Sequence, residues 1–261
     1  MFVAKQEREE EESDPMAGFW HKVLKWKEKT DPLCTAIVPA AGSSQRMGGE
    51  NKLLMQVGGK SVLERTLQAI DQTELVDEII VATRQDCLEE VAELCHQAEL
   101  HKKVKVVVGG ASRTESVLAA ALEANPRSKL LAVHDGARPL VLPEEFDQVI
   151  RTARKTNAAA PAIPVNDTIK IADSKGRITS TPDRSTLFAV QTPQVFQAEI
   201  LRAALQSVLQ NGEQVTDDCG AVEQLGKTVY LTEGNRENIK ITTPIDVVIA
   251  EAILERREKN I

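Results

Sequence analysis

The sequence predicts an α/β domain: a mostly parallel sheet covered by helices on both faces, interrupted late by a β-hairpin arm. Two observations carry the sheet. From Cys34 onward, short apolar runs of strand length alternate with stretches of helical periodicity. Alternation of this kind implies a sheet covered on both faces, and with 42% apolar content and aromatics at only 3% its core is mostly Val, Ile, Leu and Ala. A third observation predicts the arm: the alternation fails once, between Val165 and Phe188, where polar residues surround a Lys175-Gly176 turn.

In chain order, the expected strands are Ala36–Val38, Glu78–Ala82, Val104–Val108, Leu130–Val133 and Ala158–Ile163. Between them, Val62, Leu63, Thr66, Leu67 and Ile70 share one helical face behind Ser61-Val62-Leu63-Glu64, which reads as a capping box. Leu88, Val91, Ala92 and Cys95 form a second face. Val117, Leu118, Ala121 and Leu122 form a third, behind Ser112 and Glu115 at the same spacing. Pro143-Glu144-Glu145 opens a fourth helix, with proline in the first turn and carboxylates at the positive end of the dipole. The arm, about residues 165–188, pairs Asp167–Ile171 with Ile178–Thr181 and is too exposed to be core. A lone two-stranded hairpin is marginal in water, so such an arm is expected to lie on another subunit. A helix over about Ala198–Leu209, another after Thr216, a strand over Thr228–Leu231 and a helix from Thr243-Pro244 complete the order. One domain, residues 34–257, is expected, with a short tail over 258–261.

Residues 1–33 look foreign to that domain. Lys5–Asp14 is a charge block with almost nothing to bury, and its acidity argues against an organellar transit peptide. Met16 is a possible start, followed by a short amphipathic stretch containing Trp20 and Trp26. The extension is expected to be disordered or loosely packed. The net charge of −7 and the scarcity of aromatics argue against nucleic acid and anionic lipid as partners. No run is long and apolar enough to span a membrane and there is no secretory signal, so a cytoplasmic location is expected. Cys34, Cys87, Cys95 and Cys219 have no metal-ligand spacing and read as free thiols in a reducing compartment.

The most informative segment is Ala36–Lys52. A buried strand opens into Pro39-Ala40-Ala41-Gly42-Ser43-Ser44, then Arg46, two glycines and Lys52. Small residues let backbone N–H groups approach an anion, and two cations add charge for a polyphosphate. A nucleoside triphosphate is the expected ligand, although neither common phosphate-loop pattern is present. Further clusters follow strand ends, where open α/β sheets bind ligands. Gly109-Gly110-Ala111-Ser112-Arg113 opens a helix. His134-Asp135-Gly136-Ala137-Arg138 pairs an acid with a base, either as a ligand contact or as an internal ion pair fixing the loop. Thr216 reads as a helix cap, and Asp217 and Asp218 as first-turn carboxylates or site residues.

Taken together, PAAGSSQRM…NK, GGASRTESV, VHDGARP, PVNDTIK, PDR, QTPQ, VTDD and NIKIT occur in order. From about Thr35 to Glu255 the chain resembles the 2-C-methyl-D-erythritol 4-phosphate cytidylyltransferases, enzymes of the non-mevalonate isoprenoid pathway. The resemblance implies a Rossmann-like fold of the nucleotidyltransferase type and a homodimer. It also implies CTP and 2-C-methyl-D-erythritol 4-phosphate as substrates, with Mg²⁺ or another divalent cation.

By the same resemblance, CTP is held by Pro39, Ala40, Ala41, Gly42, Ser43, Arg46, Lys52, Gly110, Ser116, Asp135 and Gly136. Asp135 lies near the ribose and the metal. The methylerythritol phosphate is held by Asp135, Arg138, Thr168, Arg184, Thr216 and Lys240, with Arg184 delivered on the partner's arm. Arg46, Lys52, Arg184 and Lys240 carry the catalytic charge. Two departures stand out: the Arg46-to-Lys52 spacing is one residue short of many relatives, and Ala111 replaces an acid found in some.

The residue types suit this chemistry without the family. A phosphate monoester is already anionic, so its attack on the α-phosphorus needs no general base, only cations and positioning. Alternatives are a ribitol 5-phosphate cytidylyltransferase of the same fold and a non-catalytic nucleotide-binding module. A dinucleotide oxidoreductase is disfavoured by the missing G-x-G-x-x-G.

Overall fold

The computed structural model describes residues 34–42 and 52–259. Ser43, Ser44, Arg46, the N-terminal extension and its amphipathic stretch lie outside the described residues. The parallel part of the sheet comprises β1 (Cys34–Pro39), β4 (Glu78–Thr83), β5 (Lys103–Val108) and β6 (Leu130–Val133), in spatial order β6-β1-β4-β5. The chain therefore builds outward from β1 through β4 to β5, then returns to β6 on the far side of β1. That reversal leaves a crevice at the carboxyl ends of β1 and β6.

Alternation along each strand divides the core. Ala36, Val38, Ile79, Val81, Leu130 and Ala132 face one side, packing with α1 (Val62–Asp71), α2 (Leu88–Gln97), α4 (Pro143–Thr156) and α7 (Pro244–Lys259). Ile37, Ile80, Leu131 and Val133 face the other, packing with α3 (Arg113–Glu123), α5 (Ala198–Asn211) and α6 (Asp218–Gln224). Helices thus cover both faces, as expected. Each buried Leu, Ile or Val side chain contributes roughly 1.5–3 kcal/mol. β5 is an edge strand, and its exposed Lys103 and Lys105 discourage pairing with another chain.

Several elements depart from the sequence reading. β11 (Gln194–Gln197) inserts antiparallel between β6 and β7 (Ala158–Pro164), and β10 (Phe188–Val190) pairs antiparallel with the end of β7. Both are too short for a period-2 signal, and a cis Thr192-Pro193 bond divides them. β12 runs Tyr230–Glu233, not from Thr228, and pairs parallel with β7. A two-residue ladder joins β2 (Gln56–Val57) to β3 (Lys60–Ser61) ahead of α1. The arm is regular only at β8 (Ile171–Ala172) and β9 (Ile178–Ser180), with an irregularity between the paired residues. Its turn is closed by Asp173, which accepts from the Lys175 and Arg177 N–H groups.

The caps differ too. Ser112 and Glu115 form the full reciprocal box, but Ser61 and Glu64 form only half. Ser61 accepts from the Glu64 N–H, while the Glu64 carboxylate turns to Gln68 and Lys60. α6 is capped by Asp217, not Thr216. α7 continues to Lys259, into the expected tail. All four cysteines are free thiols, and burial pushes Cys95 up to about 11. No helix among the described residues is long and apolar enough to cross a membrane.

Candidate active site

A cleft of about 460 Å³ opens at the carboxyl ends of β1, β4, β5 and β6. Each strand end lends residues to its wall, and those after β1, β5 and β6 are fixed by a backbone bond to a neighbouring strand. Ala40 N–H donates to Ala82 O (2.7 Å), Gly109 N–H to Thr83 O (2.7 Å) and His134 N–H to Ile37 O (2.8 Å). The Pro39–Gly42 wall is therefore clamped at its base before the chain leaves the described residues.

On the β5 side, Gly110 has no room for a side chain: an added Cβ meets Glu115 Cβ at 2.2 Å. Glu115 also accepts from the Ala111 and Ser112 N–H groups, so the capping box shapes this wall. The Ser116 hydroxyl accepts from Gly110 N–H (3.1 Å) and donates to Ser112 O (2.8 Å). Ser116 thus holds the loop from within while lining the cleft.

The β6 loop carries the main charge. Asp135 lies 2.8 Å from Lys240 Nζ, 3.5 Å from an Arg113 nitrogen and 3.6 Å from Arg138 Nε. Burial alone would raise its pKa; Lys240, Arg113 and Arg138 instead hold the carboxyl far below the usual range. The Asp135–Arg138 ion pair considered from the sequence exists, as one part of this larger cluster.

Buried groups support the loop. Asp135 N–H donates to Thr192 Oγ1 (3.1 Å), which lies 3.0 Å from His134 Nδ1. His134 Nε2 lies 3.2 Å from Arg138 O, so one neutral tautomer satisfies every contact: Nε2–H donates to the carbonyl and Nδ1 accepts from the hydroxyl. Burial pushes this imidazole down to about 4. Arg138 also donates to Asn238 O (2.6 Å), Asn238 donates to Thr192 O (2.9 Å) and Ile241 N–H donates to Ala137 O (2.8 Å). These bonds seat the Asn238–Ile241 segment, and with it Lys240, against the β6 loop.

The cleft thus gathers Pro39, Ala40, Ala41, Gly42, Lys52, Gly110, Ser116, Asp135, Gly136 and Lys240, with Arg138 behind Asp135. It does not gather Thr168, Arg184 or Thr216. Thr168 and Arg184 sit on the exposed arm, where Arg184 donates to Asn166 O. Thr216 is exposed beside the α6 cap. Arg46 and Ser43 lie outside the described residues.

Two further cations line the cleft: Arg84, which the sequence did not single out, and Arg113, named there only as part of the Gly109–Arg113 cluster with no role of its own. Arg84 follows β4 and is paired with Asp86. Arg113 is the first residue of α3 and bridges Asp135 to Asp218. A cation at a helix N-terminus opposes the dipole, and that local mismatch was the available signal for Arg113.

The family profile described as 2-C-methyl-D-erythritol 4-phosphate cytidylyltransferase matches residues 34–256. A protein of that name from Caldanaerobacter subterraneus subsp. tengcongensis is 42% identical over 227 residues, covering 85% of this chain and 99% of its own. One from Desulforamulus reducens is 41% identical over 224 residues, covering 85% and 96%. Among solved structures, the 4-diphosphocytidyl-2C-methyl-D-erythritol synthase from Anaerococcus prevotii superposes with a TM-score of 0.77 at 32% identity, covering 86% of this chain and 99% of its own. The 2-C-methyl-D-erythritol 4-phosphate cytidylyltransferase from Thermus thermophilus superposes at 0.70 with 32% identity, covering 85% and 98%.

Proposed function

The chain belongs to the 2-C-methyl-D-erythritol 4-phosphate cytidylyltransferase family, and from that premise we propose how its residues divide the work of the reaction. The activity is transfer of a cytidylyl group from CTP to 2-C-methyl-D-erythritol 4-phosphate, giving 4-diphosphocytidyl-2-C-methyl-D-erythritol and pyrophosphate. The observation that carries the division of labour is the cation cluster around Asp135 at one end of a cleft whose other wall is the Pro39–Gly42 backbone.

The substrate phosphate oxygen attacks the α-phosphorus as the bond to pyrophosphate breaks. Two polyanions must meet, so the protein's task is charge and orientation. The Pro39–Gly42 backbone, Ser43, Arg46 and Lys52 take the triphosphate. Gly110, Ser116 and Gly136 shape the nucleoside side of the cleft. Lys240, 39% exposed, is free to turn from Asp135 to a substrate phosphate, with Arg138 beside it. No base is required, in keeping with a His134 whose two ring nitrogens are both engaged away from the cleft.

Among the described residues, no three His, Cys, Asp or Glu side chains come together as a metal cage. Among the described residues, Asp135 is the one ionised carboxylate lining the cleft. One or two carboxylates plus substrate phosphates is the usual donor set for Mg²⁺, so the residues fit an ion carried mainly by CTP, with Asp135 holding it. Bound there, Mg²⁺ supplies neutralisation of triphosphate charge.

The arm is assigned to a homodimer contact. Ile169, Ile171 and Ile178 are exposed on it, as are Phe188 and Val190 where it rejoins the sheet. Exposed apolar groups on a hairpin too small to stand alone support burial against a second copy. Arg184 and Thr168 then serve the partner's cleft, and Thr216 the substrate's polar end. The catalytic unit is residues 34–257, with residues 1–33 an extension that the family match does not include.

Pyrophosphate release with CTP and Mg²⁺ tests the reading, with 2-C-methyl-D-erythritol 4-phosphate and ribitol 5-phosphate in parallel. Release with the first alone is expected. Release with ribitol phosphate alone, or silence with both from protein that binds CTP, overturns it.

A further inference from the structure

Asp218 is a buried carboxylate that the capping of its own helix does not use. The α6 N-terminus already has its partners: Gly220 N–H donates to Asp217 Oδ1 (2.9 Å), while the Asp218 and Cys219 N–H groups donate to Gln194 Oε1 (3.0 and 3.1 Å). Gln194 is itself oriented by donating Nε2–H to Asp217 Oδ2 (2.8 Å). The Asp218 side chain, 1% exposed, instead reaches an Arg113 nitrogen at 2.7 Å. Burial pushes the Asp218 carboxyl up and the Arg113 guanidinium beside it draws it back down, so this contact offsets part of the cost of burying it there. Arg113 needs the partner equally, because it sits at the positive end of α3.

The two distances from Arg113 are unequal: 2.7 Å to Asp218 and 3.5 Å to Asp135. Asp218 therefore takes the close contact with the guanidinium, while Asp135 keeps its own close contact with Lys240 at 2.8 Å. We propose that Asp218 is a positioning residue for cytidylyl transfer, holding Arg113 on the cleft wall short of Asp135 so that Asp135 remains shared with Lys240. This rests on the reaction assigned above. Without the Asp218 charge, Arg113 closes on Asp135, and the wall that receives nucleotide and phosphate changes shape.

The test is a double-mutant cycle with Asp218→Asn and Arg113→Gln, read as kcat and KM for each substrate and as CTP affinity by calorimetry, with Tm for every variant. Asp218→Asn is expected to lower kcat/KM by about 10- to 100-fold, the range found when a group orienting a metal ligand is removed, with KM rising. The double variant should be no worse than Arg113→Gln alone, and Asp218→Glu should recover part of the loss. Wild-type kcat/KM in Asp218→Asn overturns the proposal. So does a fall in kcat with unchanged KM that tracks lost folded protein, or losses that multiply in the double variant. If Asp218→Asn does not fold, Asp218→Glu takes its place in the cycle, under the same criterion of non-additivity. Should the wild type bind CTP but release no pyrophosphate, the reaction assignment fails, while the cycle is still read on CTP affinity.

Discussion

Replacing Asp135 by Asn tests whether the charge cluster holds the cleft together. Asn keeps the size and loses the charge, leaving Lys240 and Arg138 without this carboxylate while Arg113 keeps Asp218. Removing one member of a buried ion cluster costs about 3–5 kcal/mol. The structure selects the lower end. The Lys240 side chain is 39% exposed and can swing to solvent, and Arg113 keeps Asp218 at 2.7 Å, whereas Arg138 is only 12% exposed and is tied to Asn238 O. About 3 kcal/mol corresponds to a fall in Tm of about 6–12 °C at ~2–4 °C per kcal/mol for a domain of this size.

The effect carries its own pH signature. The folded pKa of Asp135 is depressed, so its contribution is fully present above the unfolded value of about 3.9 and fades as pH falls below it. Thermal melts of wild type and variant at pH 7 and at successively lower pH should show a constant gap that narrows in acid. Steady-state turnover should fall at the same time, because the seat of Lys240 is lost. A variant within about 1 °C of wild type at pH 7, with kcat/KM unchanged, would refute the role assigned to the cluster.

Lys240→Ala should fold normally and lose about 100- to 1000-fold in kcat, the scale of one preorganised charge contact, as measured by pyrophosphate release; a loss under about threefold removes its catalytic assignment. His134 is held neutral with a pKa of about 4 against about 6.5 unfolded, so the unfolded state binds the extra proton between those values and stability declines as pH drops from 6.5 toward 4. Urea titrations should show up to about 3 kcal/mol of that decline missing in His134→Gln, and parallel curves for the two proteins count against it. Gly110→Ala must displace Glu115 and its cap, with an expected cost of about 1–3 kcal/mol and a raised KM for CTP; wild-type stability and KM contradict the tight packing described there. Arg184→Ala should raise KM for the methylerythritol phosphate and leave CTP affinity intact, whereas a selective loss of CTP binding moves the arm to the nucleotide side.

The sheet was legible because its cause is local. Residues such as Ala36–Val38 and Leu130–Val133 are apolar at successive positions, and only a strand covered on both faces buries them all. The cleft's backbone walls were legible for a related reason: Pro39–Gly42, Gly110 and Gly136 are small residues directly after strands, where the fold class places ligands. Lys52, Asp135 and Lys240 were found through ordered motifs and do meet in one cleft.

What only the tertiary structure decided was pairing across long separations. Arg113 and Asp218 lie on different helices, and nothing within either segment names the other; Asp218 read equally as a helix-start carboxylate or a site residue, because an acid after Thr216-Asp217 looks the same locally in both roles. The Thr192 hydroxyl reaches His134 and the Asp135 N–H only because β11 slots between β6 and β7, a placement that four residues after a proline do not announce. Composition and periodicity report which surfaces must be buried, since burial is a property of each residue. They are silent on which charges meet, since that depends on distances that exist only after the sheet has closed over its helices.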